Sequence, residues 1–333
     1  MCVIAIVHSR LEPALNLGLE EALFRAPGAE TRLLLWRNGP CVVVGRHQNA
    51  WAEANLEFLQ ARGVSLLRRI SGGGAVWHDP GNLNYSLIQP RTEGDAALDW
   101  SALDPVLAAL RRLGLPAKFG PRHELLAGGG KISGTAQHVS RGRRLVHGTL
   151  LYRADLAALD QALHPAVTDT FSTRAAASVR SRVVNLAELL PAPAPEPEAF
   201  AERLLAALAE DGEVTERREP TGAEWVEAER LAAERYRVWD WNFAHSPPAC
   251  RRRRLTMPEG AATSELEIRD GRIAAVSLLE LPGLSPVATD RIRDRLVGCR
   301  LADEPLDACL QTAAAAESLP PELAARLRAL LRP

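Results

Sequence analysis

Three consecutive glycines, Gly72 to Gly74, stand between two short strand-like runs at 64–67 and 75–77, inside Arg68-Arg-Ile-Ser-Gly-Gly-Gly-Ala-Val-Trp-His-Asp79. Such a run reads as a turn between strands. Its successive N–H groups carry no Cβ cover, which suits an anion or an apolar tail lying against main chain. Arg68, Arg69, Ser71, His78 and Asn82 surround it and add the charge, donors and amide needed to hold an acyl phosphate. Spacing excludes the Walker loop, because Ile132 rather than Ser or Thr follows Gly130-Lys131 and position 125 is leucine. It is not a dinucleotide fingerprint either.

The chain uses arginine almost everywhere it needs positive charge. Of 40 basic residues, Lys118 and Lys131 are the two lysines. Lys131 lies in Gly128-Gly-Gly-Lys-Ile-Ser-Gly134, flanked by glycines that let backbone approach a ligand closely. A compact ammonium reaches a point charge, such as a carboxylate oxygen beside a phosphate, where a planar guanidinium is too bulky.

Hydrophobic periodicity predicts helices over 13–25, 51–62, 100–113, 153–164, 199–210 and 225–237, with strands in 33–44, 64–67, 75–77 and 84–88 and a hairpin over 132–152. Residues 165–182 form an irregular stretch too long for an idle loop. A break at His245-Ser-Pro-Pro248 separates a large domain, 1–246, from a small α+β domain, 249–333, with strands near 254, 264–268 and 273–278 and helices at 286–297, 303–316 and 320–331. Arg251 to Arg254 read as a solvated strand or linker, and the seven tryptophans mostly as core. A net charge of −1 argues against a dedicated nucleic-acid binder. No run of 18 apolar residues occurs, so no membrane span is expected, and the apolar start reads as a first strand rather than a signal peptide. Five cysteines without paired spacing predict no disulfide framework and a reducing, cytoplasmic setting, with Cys299 and Cys309 as packing residues on helices.

The glycine stretch, Lys131-Ile-Ser-Gly-Thr-Ala-Gln137, His147-Gly-Thr-Leu-Leu151 and Ser178-Val-Arg-Ser-Arg-Val-Val-Asn-Leu-Ala-Glu-Leu-Leu190 follow one another in the order and spacing of lipoate-protein ligases, which the chain resembles over nearly its whole length. Asn16-Leu-Gly-Leu-Glu-Glu21, Gly45-Arg-His-Gln-Asn49 and Trp239-Asp-Trp-Asn-Phe243 are similar too. The resemblance implies an α+β fold, a biotin/lipoate-ligase-like catalytic domain of mixed sheets flanked by helices followed by a small α+β domain. It also implies a reaction in two halves. ATP and lipoate give lipoyl-AMP and pyrophosphate, and a lysine of an acceptor lipoyl domain then takes the acyl group.

Carried over by position, Lys131 would contact the lipoyl carbonyl and the phosphate. Arg69, Gly74, Ala75, Val76 and Trp77 would contact the adenylate, and Asn82 its phosphate region. Ser178, Val179 and Arg180 would belong to a loop closing over the adenine. Glu20, Ser71, Gly72, Gly73, His78, His147 and Gly148 would line the lipoate tunnel, and Glu124 would be the candidate Mg²⁺ ligand. Two places depart from the family: His123-Glu124 replaces its usual Asn-Asp, shifting a carboxylate by about 1.5 Å, and the closing loop offers Arg174 where a lysine is common. The implied partners are lipoyl domains of 2-oxoacid dehydrogenase complexes or the glycine-cleavage H protein, met by a monomer. Alternatives on the same fold are a lipoyl or octanoyl transferase using a pre-activated acyl donor, or a non-catalytic lipoyl-domain binder. Cysteine-dependent relatives need a cysteine near the pocket, and none occurs between Cys41 and Cys250. Biotin ligation is disfavoured because the motifs follow the lipoate branch.

Overall fold

The computed structural model describes residues 3–91, 99–166, 168–210 and 214–333. The chain divides into two compact units. One comprises residues 1–46, 64–161 and 178–238, and the other 47–63, 162–177 and 239–333.

The first unit is built on a mixed sheet ordered Thr135–Ser140, Arg143–Leu151, Asn82–Pro90, Thr31–Trp36, Val3–Val7, Val214–Arg218. Its strands alternate. Leu83, Tyr85 and Leu87 join Leu33, Leu35, Val146 and Leu150 in an apolar core, covered by Val106, Leu107 and Leu110 of helix Asp104–Arg112 and by Phe200, Leu204 and Leu208 of helix Pro197–Ala209. The intervening Asn82, Asn84 and Ser86 turn to the opposite face, where cross-strand register sets Ser86 against His147 and Asn84 against Thr149. One sheet thus presents an oily face and a polar one.

Helix Pro13–Arg25 covers the polar face. Pro13 fixes its first turn and the Glu12 carboxylate accepts from Leu15 N at 2.6 Å, so the start is capped. Expected as amphipathic, this helix is instead buried from Ala14 to Phe24, including Asn16, Glu20 and Glu21. Helix Gly222–Leu231 closes its outer side at Gly18, where a Cβ would fall 2.3 Å from the Ala228 carbonyl oxygen. Glu21 accepts from Tyr236 Oη at 2.6 Å and pairs with Arg25 and Arg235.

The hairpin expected over 132–152 starts later. Gly134 separates a strand Gly130–Ser133, which belongs to a three-stranded sheet with Lys118–Phe119 and Leu125–Ala127, from Thr135–Ser140. The strand Val214–Arg218 was not expected, because its charged sequence pairs in parallel with Val3–Val7 far away in the chain.

The second unit carries an antiparallel sheet ordered Asp169–Thr173, Ala249–Met257, Gly260–Arg269, Arg272–Glu280, packed with helices Pro286–Leu296, Asp303–Ala316 and Pro321–Leu331. The supposedly irregular 165–182 therefore contains a strand. The helix expected over 51–62 is two short ones, Ala50–Glu53 and Leu56–Ala61, because the side chains of Asn49 and Asn55 each cap a new start. The arginine run is not solvated throughout. Strand alternation buries Arg251 and Arg253, whose guanidiniums donate to the carbonyls of Leu331 and Arg332 at the end of the last helix, while Arg253 grips Asp169 with two bonds at 2.5 and 2.7 Å. Cys299 and Cys309 form a disulfide rather than packing singly on helices. Cys299 stands just after helix Pro286–Leu296, ten positions before Cys309 on helix Asp303–Ala316. Of the tryptophans, Trp36, Trp51 and Trp77 are buried and the other four half-buried. No helix among the described residues is long and apolar enough to cross a membrane.

Packing at Gly18 is tight enough to measure. Gly18→Ala should lower the unfolding free energy by about 1–3 kcal/mol in urea titrations, whereas Gly222→Ala, whose Cβ would meet nothing within 4 Å, should not lower it.

Candidate functional site

The glycine turn is formed in the first unit by a small sheet. Strand Cys41–Val44 lies between Ser65–Arg68, parallel to it, and Val76–His78, antiparallel to it, so residues 69–75 must cross from one edge to the other. Arg69 fills that crossing. Its guanidinium is buried and donates to Val43 O at 3.1 Å, Gly72 O at 2.6 Å, Gly74 O at 2.8 Å and Ser71 Oγ at 2.9 Å. Four of its five donors are thereby committed to shaping the turn. Burial pulls Arg69 down to about 10, which leaves it charged at neutral pH. Gly73 takes φ +85, and Gly45 must also lack a Cβ, which would sit 2.1 Å from Gly73 O. Ser178 closes the far side by accepting from Ala75 N at 2.9 Å.

From Ser71 a chain of hydrogen bonds runs into the sheet. Ser71 Oγ meets His147 Nε2 at 2.6 Å, and His147 Nδ1 meets Glu20 Oε1 at 2.7 Å. Glu20 Oε1 also accepts from Ser86 Oγ at 2.5 Å, whose oxygen accepts from Trp36 Nε1 at 2.9 Å. With Glu20 ionised, His147 donates from Nδ1. Burial pushes the Glu20 carboxyl upward. The His147 charge and hydrogen bond, the Ser86 hydroxyl and Arg69 outweigh it, so the group is held below its ordinary range. His78, beside this chain, contacts Asn38 Nδ2 through Nδ1 at 3.0 Å. Burial, aided by Arg69 and His147, pulls its ring down to about 3, so it is neutral.

Lys131 approaches from the three-stranded sheet. Its backbone is held by Arg182 O and Val184 N, at 2.8 and 3.1 Å. A Cβ added to Gly134 would lie 3.5 Å from Lys131 Nζ and 3.6 Å from Val76 Cγ1, so the ammonium flanks the end of the glycine stretch. Gly134 N in turn donates to Thr149 Oγ1 at 3.1 Å, on the polar face. Burial lowers the Lys131 pKa, Glu124 raises it, and Arg122 and Arg69 lower it further. Its ammonium makes no hydrogen bond or ion pair with the described residues. Glu124 is buried, accepts from Arg122 N at 2.8 Å and lies 3.6 Å from the Arg122 guanidinium. No cluster of three metal-ligating side chains occurs among the described residues.

Asn82 is buried and donates to Asn84 Oδ1 at 2.9 Å, leaving Asn82 Oδ1 and Asn84 Nδ2 without partners among the described residues. Trp77 is buried, with its indole N–H on Asp79 at 2.8 Å. Gly148 packs against Tyr85 and Gly134, where a Cβ would come within 2.4 Å of Tyr85 Oη. Val179 and Arg180 are exposed. The expected residues Arg69, Ser71, His147 and Glu20 form one bonded chain, with Gly72 to Val76 and Lys131 around its end.

The resemblance assigns no role to Trp36, Asn38, Ser86 or Thr149. The polar-apolar alternation of Asn82-Leu-Asn-Tyr-Ser-Leu87 was the available signal for Ser86. Cys41 lies close by, fully buried, with Asn38 Nδ2 3.7 Å from its sulfur, and burial pushes its thiol pKa far up. It is a poor nucleophile.

A mixed-sheet unit with a glycine turn, a buried carboxylate-histidine chain and a half-buried lysine beside the turn defines an α+β protein of the biotin/lipoate-ligase-like fold. The lipoyl protein ligase A/B catalytic domain matches residues 12–209. The chain is 33% identical over 293 residues to lipoate–protein ligase 1 of Staphylococcus aureus, covering 86% of this chain and 87% of that protein. It is 34% identical over 266 residues to the lipoate-protein ligase LplJ of Bacillus subtilis, covering 79% and 80%. Among solved structures, lipoate-protein ligase A bound with ATP superposes with a TM-score of 0.62 at 25% identity, covering 73% of this chain and 98% of that one. The chain belongs to the lipoate-protein ligase family, as its motifs implied.

The depressed Glu20 pKa gives a pH signature. Its stabilisation is present above the unfolded value of about 4.3 and is lost as pH falls through the lower folded value. Glu20→Gln should therefore cost stability at pH 6, measured by urea unfolding, and the difference from wild type should shrink as pH drops below about 4.

Proposed function

We propose that this chain is an ATP-dependent lipoate-protein ligase: it joins lipoate to AMP and then transfers the lipoyl group to a lysine of an acceptor domain. The observation that carries this reading is the free, half-buried ammonium of Lys131 at the end of a glycine turn whose shape is fixed from within by Arg69.

In the first half-reaction a lipoate carboxylate oxygen attacks the α-phosphorus of ATP and pyrophosphate leaves with the bonding pair. In the second, a neutral lysine amine of the acceptor attacks the acyl carbon, AMP departs, and the amine proton is lost. Charge gathers first on the phosphate and then on the acyl oxygen. The dominant help is a donor fixed where that charge develops. Lys131 would bridge the acyl carbonyl and a phosphate oxygen, with Asn82 on the phosphate side. The main chain of 74–77 would face the nucleotide, and 178–180 would cover it. Neutral His78, with Ser71, His147, Glu20 and Gly148, would shape the path of the apolar chain, against Gly72 and Gly73. With four of its five donors held by the turn, Arg69 would act mainly by fixing that shape and by its charge.

Mg²⁺ carried with the nucleotide phosphates needs one or two protein carboxylates and keeps its waters. Glu124 fits that sparse role. The unit containing 249–333 would serve as the accessory domain, and lipoyl domains of 2-oxoacid dehydrogenases or the glycine-cleavage H protein would be the acceptors. The buried, high-pKa thiol of Cys41 argues against an acyl-thioester route.

Isotope exchange between ATP and pyrophosphate should require lipoate. Lys131→Arg should cut that exchange on the order of 10²–10³ although charge is kept. Lipoate-independent exchange, or an arginine variant retaining more than about a tenth of the rate, would contradict this assignment.

A further inference from the structure

Both lysines of the chain line one cavity. Its volume is about 520 Å³, and Pro116, Lys118, Leu126, Gly128 to Lys131, Ser181 and Arg182 form its wall. Register explains the coincidence. Lys118 is paired with Leu126, and Leu126 with Lys131, so the three side chains issue from the same face of the small sheet. Two strand spacings put the lysine stems about 10 Å apart. Lys118 and Arg182 are exposed, and neither side chain makes a hydrogen bond or ion pair with the described residues. Among the described residues no carboxylate lines the wall. Gly128 and Gly129 take φ +57 and +76, the left-handed region that favours glycine, and a Cβ on Gly129 would meet nothing within 4 Å. In a chain whose other basic residues are all arginine, and whose surface arginines are repeatedly paired with Glu or Asp, a hollow lined by two lysines and an arginine, with no lining carboxylate among the described residues, suits a multiply charged anion.

We propose that this cavity holds the β- and γ-phosphates of the nucleotide and then the departing pyrophosphate, with Lys118 and Arg182 as the contacting groups beyond Lys131. The proposal rests on the ligase reading, and it adds a specific direction to it. Lys131 would stand where the α-phosphate reacts, and it lines the same cavity as Lys118. Negative charge released by cleavage of the α–β bond is met by cations already in place. Lys118 and Arg182 take no part in the second half-reaction, because pyrophosphate has left.

Lys118→Ala and Arg182→Ala in the full chain test this, since both side chains are exposed and their removal leaves the core intact. Each should raise the KM for pyrophosphate in lipoate-dependent exchange about tenfold, the lower end for a charge-assisted contact open to solvent. The KM for lipoate and the rate of transfer from preformed lipoyl-adenylate to an acceptor domain should stay as in wild type. An unchanged pyrophosphate KM, or a matching loss in the transfer step, overturns the assignment. Calorimetric titration with inorganic pyrophosphate alone separates this site from the ligase reading. Binding by wild type that weakens about tenfold in Lys118→Ala supports the site whether or not exchange is catalysed, and no binding by wild type overturns it.

Discussion

Arg69 holds together what surrounds it. Its guanidinium reaches from the strand Cys41–Val44 to the carbonyls of Gly72 and Gly74 and to Ser71, so a run of three glycines that could wander has one shape. Glycine gives the turn access for a ligand but costs order. A buried, charged fork restores the order without adding bulk to the surface. The same Ser71 passes the constraint on to His147, Glu20, Ser86 and Trp36, which come from three strands and a helix of the first unit. Loosening any link would free the turn, since a buried polar group without its partner costs roughly 1–3 kcal/mol.

The chain of bonds in turn needs helix Pro13–Arg25 pressed onto the polar face of the sheet, and that closeness depends on Gly18 against Ala228. A packing detail on the outside of a helix therefore positions a carboxylate on its inside. Lys131 is placed by different means, through the register of a small sheet and the main chain at 182–184. Two independent scaffolds meet at Val76 and Gly134.

Much of this was legible because it is local. The glycine turn, the lysine among glycines, the strands on either side and helix Pro13–Arg25 all follow from residues a few positions apart. What escaped is long-range. Asp169–Thr173 is a strand because Ala249–Met257 pairs with it, and Arg251 and Arg253 are buried because the carbonyls ending the last helix wait some eighty positions onward. The Cys299–Cys309 link depends on a turn that returns one helix to the next. The motif position of Arg69 implies a ligand contact, and its four internal bonds emerge only when the turn is folded. The exposed Val179 and Arg180 give no sign of their role beyond the motif they stand in.

Mass spectrometry of the protein mixed with ATP and lipoate, under both native and denaturing conditions, separates a held lipoyl-adenylate from an acylated chain. The expected result is a native complex heavier by one lipoyl-adenylate and an unmodified chain after denaturation, because the acyl group never bonds to the protein. A lipoyl group that stays on the denatured chain and is released by hydroxylamine would contradict it.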